Sequence, residues 1–348
     1  MRNADQAQPI AGDFLNKMID SSPTETEFSR ASGRRFWTSL EVAAIHNLPV
    51  LELILKAADV HRRHHPLGEV QVCVLQSIKT GGCPEDCAYC PQSARFETPV
   101  DPEPLLQVDR VLAAAEQARR EGATRFCMGA AWREVRDDER FERVLDMVRG
   151  VKQLGLEACC TLGMLTENQA RRLKEAGLDA YNHNIDTSPE YYDKIITTRK
   201  FQDRLETLSR VREAGIGVCC GGIVGMGESA MDRVEMLRTL ANLPEPPESV
   251  PINALVPVEG TPLADRPKST IWDLVRAIAT ARILMPNSRV RLSAGRVGMS
   301  EAEQALCFLA GADSIFAGDK LLTTPNPGRN ADEMLFEHLG LRPMPARV

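Results

Sequence analysis

Eight short β-like runs, most of them followed by a helix-period segment, predict a closed parallel α/β barrel: a (β/α)8 fold of TIM type with an N-terminal helical extension. The runs fall at 69–77, 124–130, 156–162, 180–186, 217–224, 250–256, 289–294 and 313–317. The helical segments are 104–121, 138–154, 166–176, 201–214, 230–242, 270–285 and 300–310. Gly122, Gly155, Gly177, Gly215 and Gly311 stand just past helix ends, where a left-handed residue closes the last turn. An open doubly wound sheet is the alternative for the same alternation.

In chain order, residues 1–35 are polar and mixed and read as a flexible leader. Thr38 or Ser39 caps the apolar-periodic stretch that follows. Leu48-Pro49 divides that stretch into two helices over 36–66. His61, His64 and His65 close the second helix, where cationic side chains suit the C-terminal carbonyls; metal ligation is the weaker reading. The barrel is expected over 67–341, with a rigid connector at 243–251 (LPEPPESVP) and a short tail over 342–348.

The 348 residues, 43% of them hydrophobic, suffice for one large core. A net charge of −6 argues against nucleic acid as the main partner. No apolar run is long enough to span a bilayer, and the N-terminal residues lack a signal-peptide apolar stretch. A cytoplasmic location is therefore expected. In that reducing setting the ten cysteines read as metal ligands or core residues rather than bridges.

Three of them fall in GGCPEDCAYCPQ, residues 81–92. Cys83, Cys87 and Cys90 are spaced C-x-x-x-C-x-x-C, with Tyr89 before the last. Three thiolates can hold three irons of one cubane and leave the fourth iron open to a ligand. A structural zinc site usually brings paired cysteines and a fourth ligand, which this stretch lacks. Glu85 and Asp86, between the cysteines, read as solvated loop charges.

Alternation along the strands sorts other residues. The apolar parity faces the helices and the opposite parity faces the barrel axis. Phe126, Met128, Cys160, Cys220, Val290 and Leu292 then point outward. Cys127, Cys159, Cys219 and Arg291 point inward, as do Arg125, Asn182, Asn184, Asp186 and Asn253. Barrel interiors are filled mainly by branched apolar side chains, so three inward cysteines and an arginine stand out. Three thiolates and a nitrogen could hold a 2Fe–2S cluster. A guanidinium is normally protonated, so spacing alone makes Arg291 a charge partner. Cys73 and Cys307 lie in apolar runs and read as core. GGIVGMGESA mimics a dinucleotide fingerprint, but a lone match late in the chain is weak.

The motif C-x-x-x-C-x-Φ-C, with Tyr89 as the aromatic Φ, resembles that of the radical S-adenosylmethionine (SAM) enzymes. Together with TRFCMGAAW, YNHNIDTSPE, VPINALVP, VRLSAGR and KLLTTPNP, the stretch from about Phe36 to Leu341 resembles the biotin synthase family. The resemblance implies a SAM-cleaving 4Fe–4S cluster on Cys83, Cys87 and Cys90. It implies a sulfur-donating 2Fe–2S cluster on Cys127, Cys159, Cys219 and Arg291. It places Tyr89, Asp186, Arg204 and Ile223 around SAM: Asp186 at the ribose, Arg204 (which on its own reads as a helix-surface charge) at the carboxylate, and Ile223 in a backbone stretch beside the adenine. Asn184 and Asn253 would meet dethiobiotin, with Thr323 and Thr324 at its carboxylate tail.

The implied reaction converts dethiobiotin to biotin, the last step of biotin biosynthesis. Its C–H bonds are unactivated and beyond any side-chain base, so hydrogen atoms must leave to a radical, here the 5′-deoxyadenosyl radical. An electron-donor protein of flavodoxin or ferredoxin type and a homodimer complete the implied picture. Competing readings are a different radical SAM enzyme, an iron–sulfur carrier, and a zinc-binding structural protein.

Overall fold

A computed structural model of the chain describes residues 36–345; the predicted leader lies outside them. Two helices come first, α1 (Ser39–His46) and α2 (Val50–His64). Thr38 starts α1 through a reciprocal capping box with Glu41, and Pro49 precedes α2. The main sheet has ten strands, and nearly all of its order follows the chain. They are β1 (Glu69–Lys79), β2 (Arg125–Ala130), β3 (Glu157–Thr161), β4 (Ala180–Asn182), β5 (Gly217–Cys219), β6 (Gly222–Val224), β7 (Ser249–Ala254), β8 (Arg289–Leu292) and β9 (Ser314–Ala317), with a late strand described below. Consecutive strand positions pair in parallel, and β9 returns to β1 from Gln71↔Ser314 to Val74↔Ala317. That return closes the sheet into a (β/α)8 barrel, since β5 and β6 share one strand position; an open doubly wound sheet is excluded.

Helices α3 (Val108–Arg120), α4 (Glu139–Gln153), α5 (Glu167–Glu175), the short α6 (Pro189–Tyr192), α7 (Phe201–Glu213), α8 (Ala230–Ala241), α9 (Ile271–Leu284) and α10 (Glu301–Leu309) connect the strands. Capping boxes start three of them, at Thr166 with Gln169, Ser229 with Asp232, and Ser300 with Glu303. The five glycines expected as stops all have positive φ.

Two predicted strands are interrupted, each for a local reason. The run 180–186 is a strand only through Asn182. Beyond it, Asp186 takes φ 68 and its N–H donates to Gly221 O at 3.2 Å. The run 217–224 breaks at Cys220-Gly221, where the chain presses on β7: a Cβ on Gly221 would lie 1.9 Å from Pro251 O. The sequence did not announce the hairpin of β10 (Lys320–Leu321) and β11 (Thr324–Pro325), nor α11 (Arg329–Leu339). Residues 342–343, expected as tail, form β12 (Arg342–Pro343), which pairs with Glu69 and Val70 of β1.

Two layers of side chains separate across the strands. Phe126, Met128, Leu156, Cys160, Val218, Cys220, Val290 and Leu292 join the large core beneath the helices. Full burial of a large apolar side chain is worth roughly 1.5–3 kcal/mol, so this shell carries most of the barrel's stability. Inside the barrel, Cys73, Cys127, Cys159, Ala180, Phe316 and Leu321 form a separate cluster.

At the N-terminal end of the strands, buried Asp313 receives Arg282 at 3.0 Å, Arg289 at 2.9 Å and His65 at 3.2 Å. The expectation of cationic histidines ending α2 is corrected here for His61 and His65. Burial lowers the pKa of His61 to about 4 and lowers that of His65, so both are neutral at pH 7.

Candidate active site

At its C-terminal end β1 runs into the loop of three cysteines. Gly81 and Gly82 both take φ 65, a turn that side-chain-bearing residues rarely make. The loop then folds on itself: Cys83 N–H donates to Gln92 O at 2.9 Å, and Ala94 N–H to Cys83 O at 2.7 Å. Cys90 N–H donates to Cys87 O at 2.9 Å; the Cys90 thiol feels the charge of Cys83, and the Cys87 thiol that of Cys90. Burial pushes the Cys83 and Cys87 thiols upward and that of Cys90 to about 11. Three half-buried thiols that resist ionisation on their own suit a cationic partner, because metal binding supplies the charge that burial withholds.

Glu85 and Asp86 are not solvated loop charges. Glu85 is 2% exposed and receives Arg133 at 2.6 Å and Arg199 at 3.3 Å, with the Thr198 hydroxyl on its other oxygen. Asp86 accepts from the N–H groups of Thr197 at 2.9 Å and Thr198 at 3.2 Å. Burial opposes ionisation of Asp86, yet these bonds outweigh it and hold its pKa at about 2. The two carboxylates clamp the cysteine loop to segment 197–199. They escaped the sequence reading because their partners are distant in sequence, Arg133 by 48 residues and segment 197–199 by more than a hundred.

From this loop a cavity, partly open to solvent, descends along the barrel axis. Tyr89 and Cys90 line its rim. Thr161, Asn182, Asn184, Asp186, Ile223 and Asn253 line its wall, with Thr323 and Thr324 from the β10–β11 hairpin. Cys127, Cys159, Cys219 and Arg291 line it too, and all four are buried. Cys127 and Cys159 are register partners across β2 and β3. A hydrogen bond from the Cys127 thiol draws the Cys159 pKa downward and raises that of Cys127. Arg291 donates to Cys219 Sγ at 3.6 Å and to Ser314 Oγ at 3.0 Å, and Asn182 Nδ2 donates to Cys219 Sγ at 3.3 Å.

The wall residues are held by neighbours. Arg204 is buried, not a helix-surface charge. It pairs with Asp186 at 2.7 Å and donates to the Tyr192 hydroxyl at 2.9 Å. Burial raises the Asp186 pKa against the pull of Arg204 and of Tyr89. Asn184 Oδ1 accepts from Gly221 N–H at 3.1 Å. Asn253 bridges Gly222 O at 3.0 Å and Ala294 N–H at 3.2 Å. In the G-x-I-x-G-x-x-E stretch, Glu228 accepts from Gly225 N–H at 2.9 Å and closes the turn after Ile223.

Sequence reasoning missed one sulfur. Cys73 is not in the helix-facing core: it joins Cys127 and Cys159 inside the barrel, and Arg291 Nη2 donates to its Sγ at 3.3 Å. Val70, Val72 and Val74 occupy the outward parity of β1, a signal that would have turned Cys73 inward. Cys307 does lie in the helix-facing core.

Two family models divide the barrel between them. The radical SAM superfamily model matches residues 77–240, and the biotin and thiamin synthesis associated domain matches 251–342. A biotin synthase of Cytophaga hutchinsonii is 65% identical over 310 residues, 89% of this chain and 92% of that protein. The chain belongs to the biotin synthase family. Biotin synthases of Sorangium cellulosum (64% over 311 residues, 89% of each chain) and Myxococcus xanthus (62% over 314, 90% and 91%) agree. As a member of the family the chain is a radical SAM sulfurtransferase, and the family's cofactors are SAM, a 4Fe–4S cluster and a 2Fe–2S cluster. Among solved structures, methylornithine synthase (PylB) shares the fold with TM-score 0.74 and 18% identity, covering 90% of this chain and 95% of that one. The FeFe-hydrogenase maturase HydG from Carboxydothermus hydrogenoformans does so at 0.74 and 16%, covering 95% and 80%.

The side chains suit those cofactors. Among the described residues, no three His, Cys, Asp or Glu converge as they would around a single metal ion. A cluster of several irons spreads its thiolates more widely than one zinc does. Near the inner thiols Arg125 is buried, paired with Glu157 at 2.9 Å, while its Nη1 has no hydrogen-bond partner. Such an orphaned cationic donor among sulfurs fits a site built for an anionic iron–sulfide core. No helix among the described residues is long and apolar enough to cross a membrane.

Proposed function

We propose that the chain converts dethiobiotin to biotin, with Cys83, Cys87 and Cys90 holding the 4Fe–4S cluster and Cys127, Cys159, Cys219 and Arg291 holding the 2Fe–2S cluster. One observation carries the reading: a single cavity is lined by Cys90 and by all four inner residues, with a polar wall common to both. When bound, the outer cluster supplies an electron to SAM and the inner cluster supplies sulfur. The protein's own part is to hold, orient and exclude. Asp186 and Arg204, fixed against each other and against Tyr192, offer a carboxylate to the SAM ribose and a guanidinium to its carboxylate. Tyr89 and Ile223 line the cavity beside them. Asn184 and Asn253, anchored by backbone groups, present amides to the ureido ring of dethiobiotin, and Thr323 and Thr324 meet its carboxylate. The closed barrel keeps bulk water and stray hydrogen donors from the reacting carbon.

A flavodoxin- or ferredoxin-type electron donor is part of the proposal. In support, a surface pocket near Cys83 is lined by Lys79, Arg133, Arg136 and Arg140, alongside Glu134 and Asp138. A homodimer rests on the family resemblance alone, and a cytoplasmic location is the expectation read from the sequence. The test is Cys127→Ala in anaerobically reconstituted protein. SAM cleavage remains measurable while sulfur insertion disappears; equal loss of both would contradict separate roles for the two clusters.

A further inference from the structure

Four sulfurs, not three, gather inside the barrel: Cys127, Cys159 and Cys219 line the cavity, and Cys73 packs against the first two just behind its lining. Cys73 is fully buried on β1, packed with Cys127, Cys159 and Phe316, and its thiol feels the charge of Cys159 while Cys127 feels its own. The guanidinium of Arg291 divides its two terminal nitrogens between sulfurs: Nη2 donates to Cys73 at 3.3 Å and Nη1 to Cys219 at 3.6 Å. Its Nε is anchored on Ser314 Oγ at 3.0 Å, and its plane lies over the Phe316 ring at 4.6 Å. Arg291 is therefore fixed between one sulfur of the proposed ligand set and one outside it. Iron favours thiolate sulfur over a guanidine, which must shed a proton before it can bind a metal at all.

We propose that Cys73 is an exchangeable fourth thiolate of the inner centre, able to take the place of Arg291 on the 2Fe–2S cluster. The inference rests on the reading that this cluster occupies the inner site. The exchange balances internally. With Arg291 on iron, its guanidine is neutral and Cys73 carries the proton. On exchange the iron–nitrogen bond breaks and an iron–sulfur bond forms from Cys73. The thiol proton passes to the departing Arg291 nitrogen along the contact that already joins them. No electron moves, no outside reagent enters, and the summed charge of protein and cluster is unchanged. Arg291 then stays beside the new thiolate as its hydrogen-bonding cation.

The test uses full-length protein reconstituted anaerobically with iron and sulfide, with the two cluster types counted separately by Mössbauer spectroscopy. Arg291→Ala is expected to keep most of its 2Fe–2S content, now with all-thiolate ligation, whereas Arg291→Ala/Cys73→Ser loses about tenfold or more. Retention in the double variant overturns the proposal, and so does loss already in the single one. Absence of the 2Fe–2S cluster from the unsubstituted protein would instead sink the assignment of the inner site. SAM cleavage by the outer cluster reports that the variants have folded.

A second readout keeps the native arginine. Nitrogen hyperfine coupling from isotope-labelled arginine to the reduced inner cluster is expected to grow in Cys73→Ser, because the competing thiolate is gone. An unchanged coupling overturns the proposal even if the Arg291 variants fail to fold.

Discussion

Glu85→Ala is expected to detach the cysteine loop from its support, with a cost that can be worked from three contacts. The carboxylate is 2% exposed. Its partner Arg199 is 5% exposed, lies 3.3 Å away, and already has an Nε without a hydrogen-bond partner. Removing the carboxylate leaves that guanidinium buried with its charge uncompensated, a change that typically costs about 3–5 kcal/mol. Arg133 adds less, since its side chain is 35% exposed and water can take over. The Thr198 hydroxyl adds little, because its single proton can go to Asp86 Oδ1 at 2.9 Å instead. The expected total is about 4 kcal/mol, concentrated on the segment that carries Cys83, Cys87 and Cys90. Denaturant unfolding of the metal-free protein measures the stability, and iron bound by the outer cluster measures the local effect. Glu85→Gln keeps the shape and one acceptor and should fall between the two. A loss below about 1 kcal/mol with full outer-cluster iron would refute the idea that the clamp organises the loop.

Three further outcomes are expected. Cys160→Ala should keep most biotin-forming activity, since Cys160 packs beneath the helices while its neighbour Cys159 faces the cavity; a dead enzyme with normal stability would reverse that assignment. Gly221→Ala should destabilise by about 3 kcal/mol or more, because the new Cβ meets Pro251 O at 1.9 Å, backbone against backbone; a normal melting temperature would contradict the close approach. Finally, burial sets the folded-state pKa of His46 and of His61 at about 4, below the 6.5 of a free histidine. The unfolded chain therefore binds more protons in that window. The contribution of these groups to stability is complete above pH 6.5 and is lost as pH falls toward 4. Thermal melts across that range should show it, and His61→Gln should flatten part of the slope.

Much of this barrel could be read from local pattern. The helix borders agree with the predicted segments to within a few residues because caps and glycine stops are short-range chemistry, as at Thr166, Ser229 and Gly155. The facing of Cys159 against Cys160, and of Cys219 against Cys220, followed from strand alternation alone. What stayed hidden was set by contacts distant in sequence. Glu85 looked solvated because Arg199 and Thr198 are far along the chain. Arg204 looked like a surface charge because Asp186 lies across the barrel mouth. The early end of β4 needs the left-handed Asp186, which only the neighbouring Gly221–Gly222 strand explains. Cys73 was misplaced because cysteine passes for an apolar residue in a valine-rich run.

The register of β2 against β3 has a practical consequence for anyone handling the purified enzyme. Cys159 and Cys160 follow one another on an extended strand, so their sulfurs point to opposite faces and cannot reach each other. Cys127 and Cys159 are register partners on adjacent strands, and their thiols lie within hydrogen-bonding reach of each other. In air, a chain stripped of its inner iron has a ready way to lock itself shut, and it would refuse metal until a reductant reopened it.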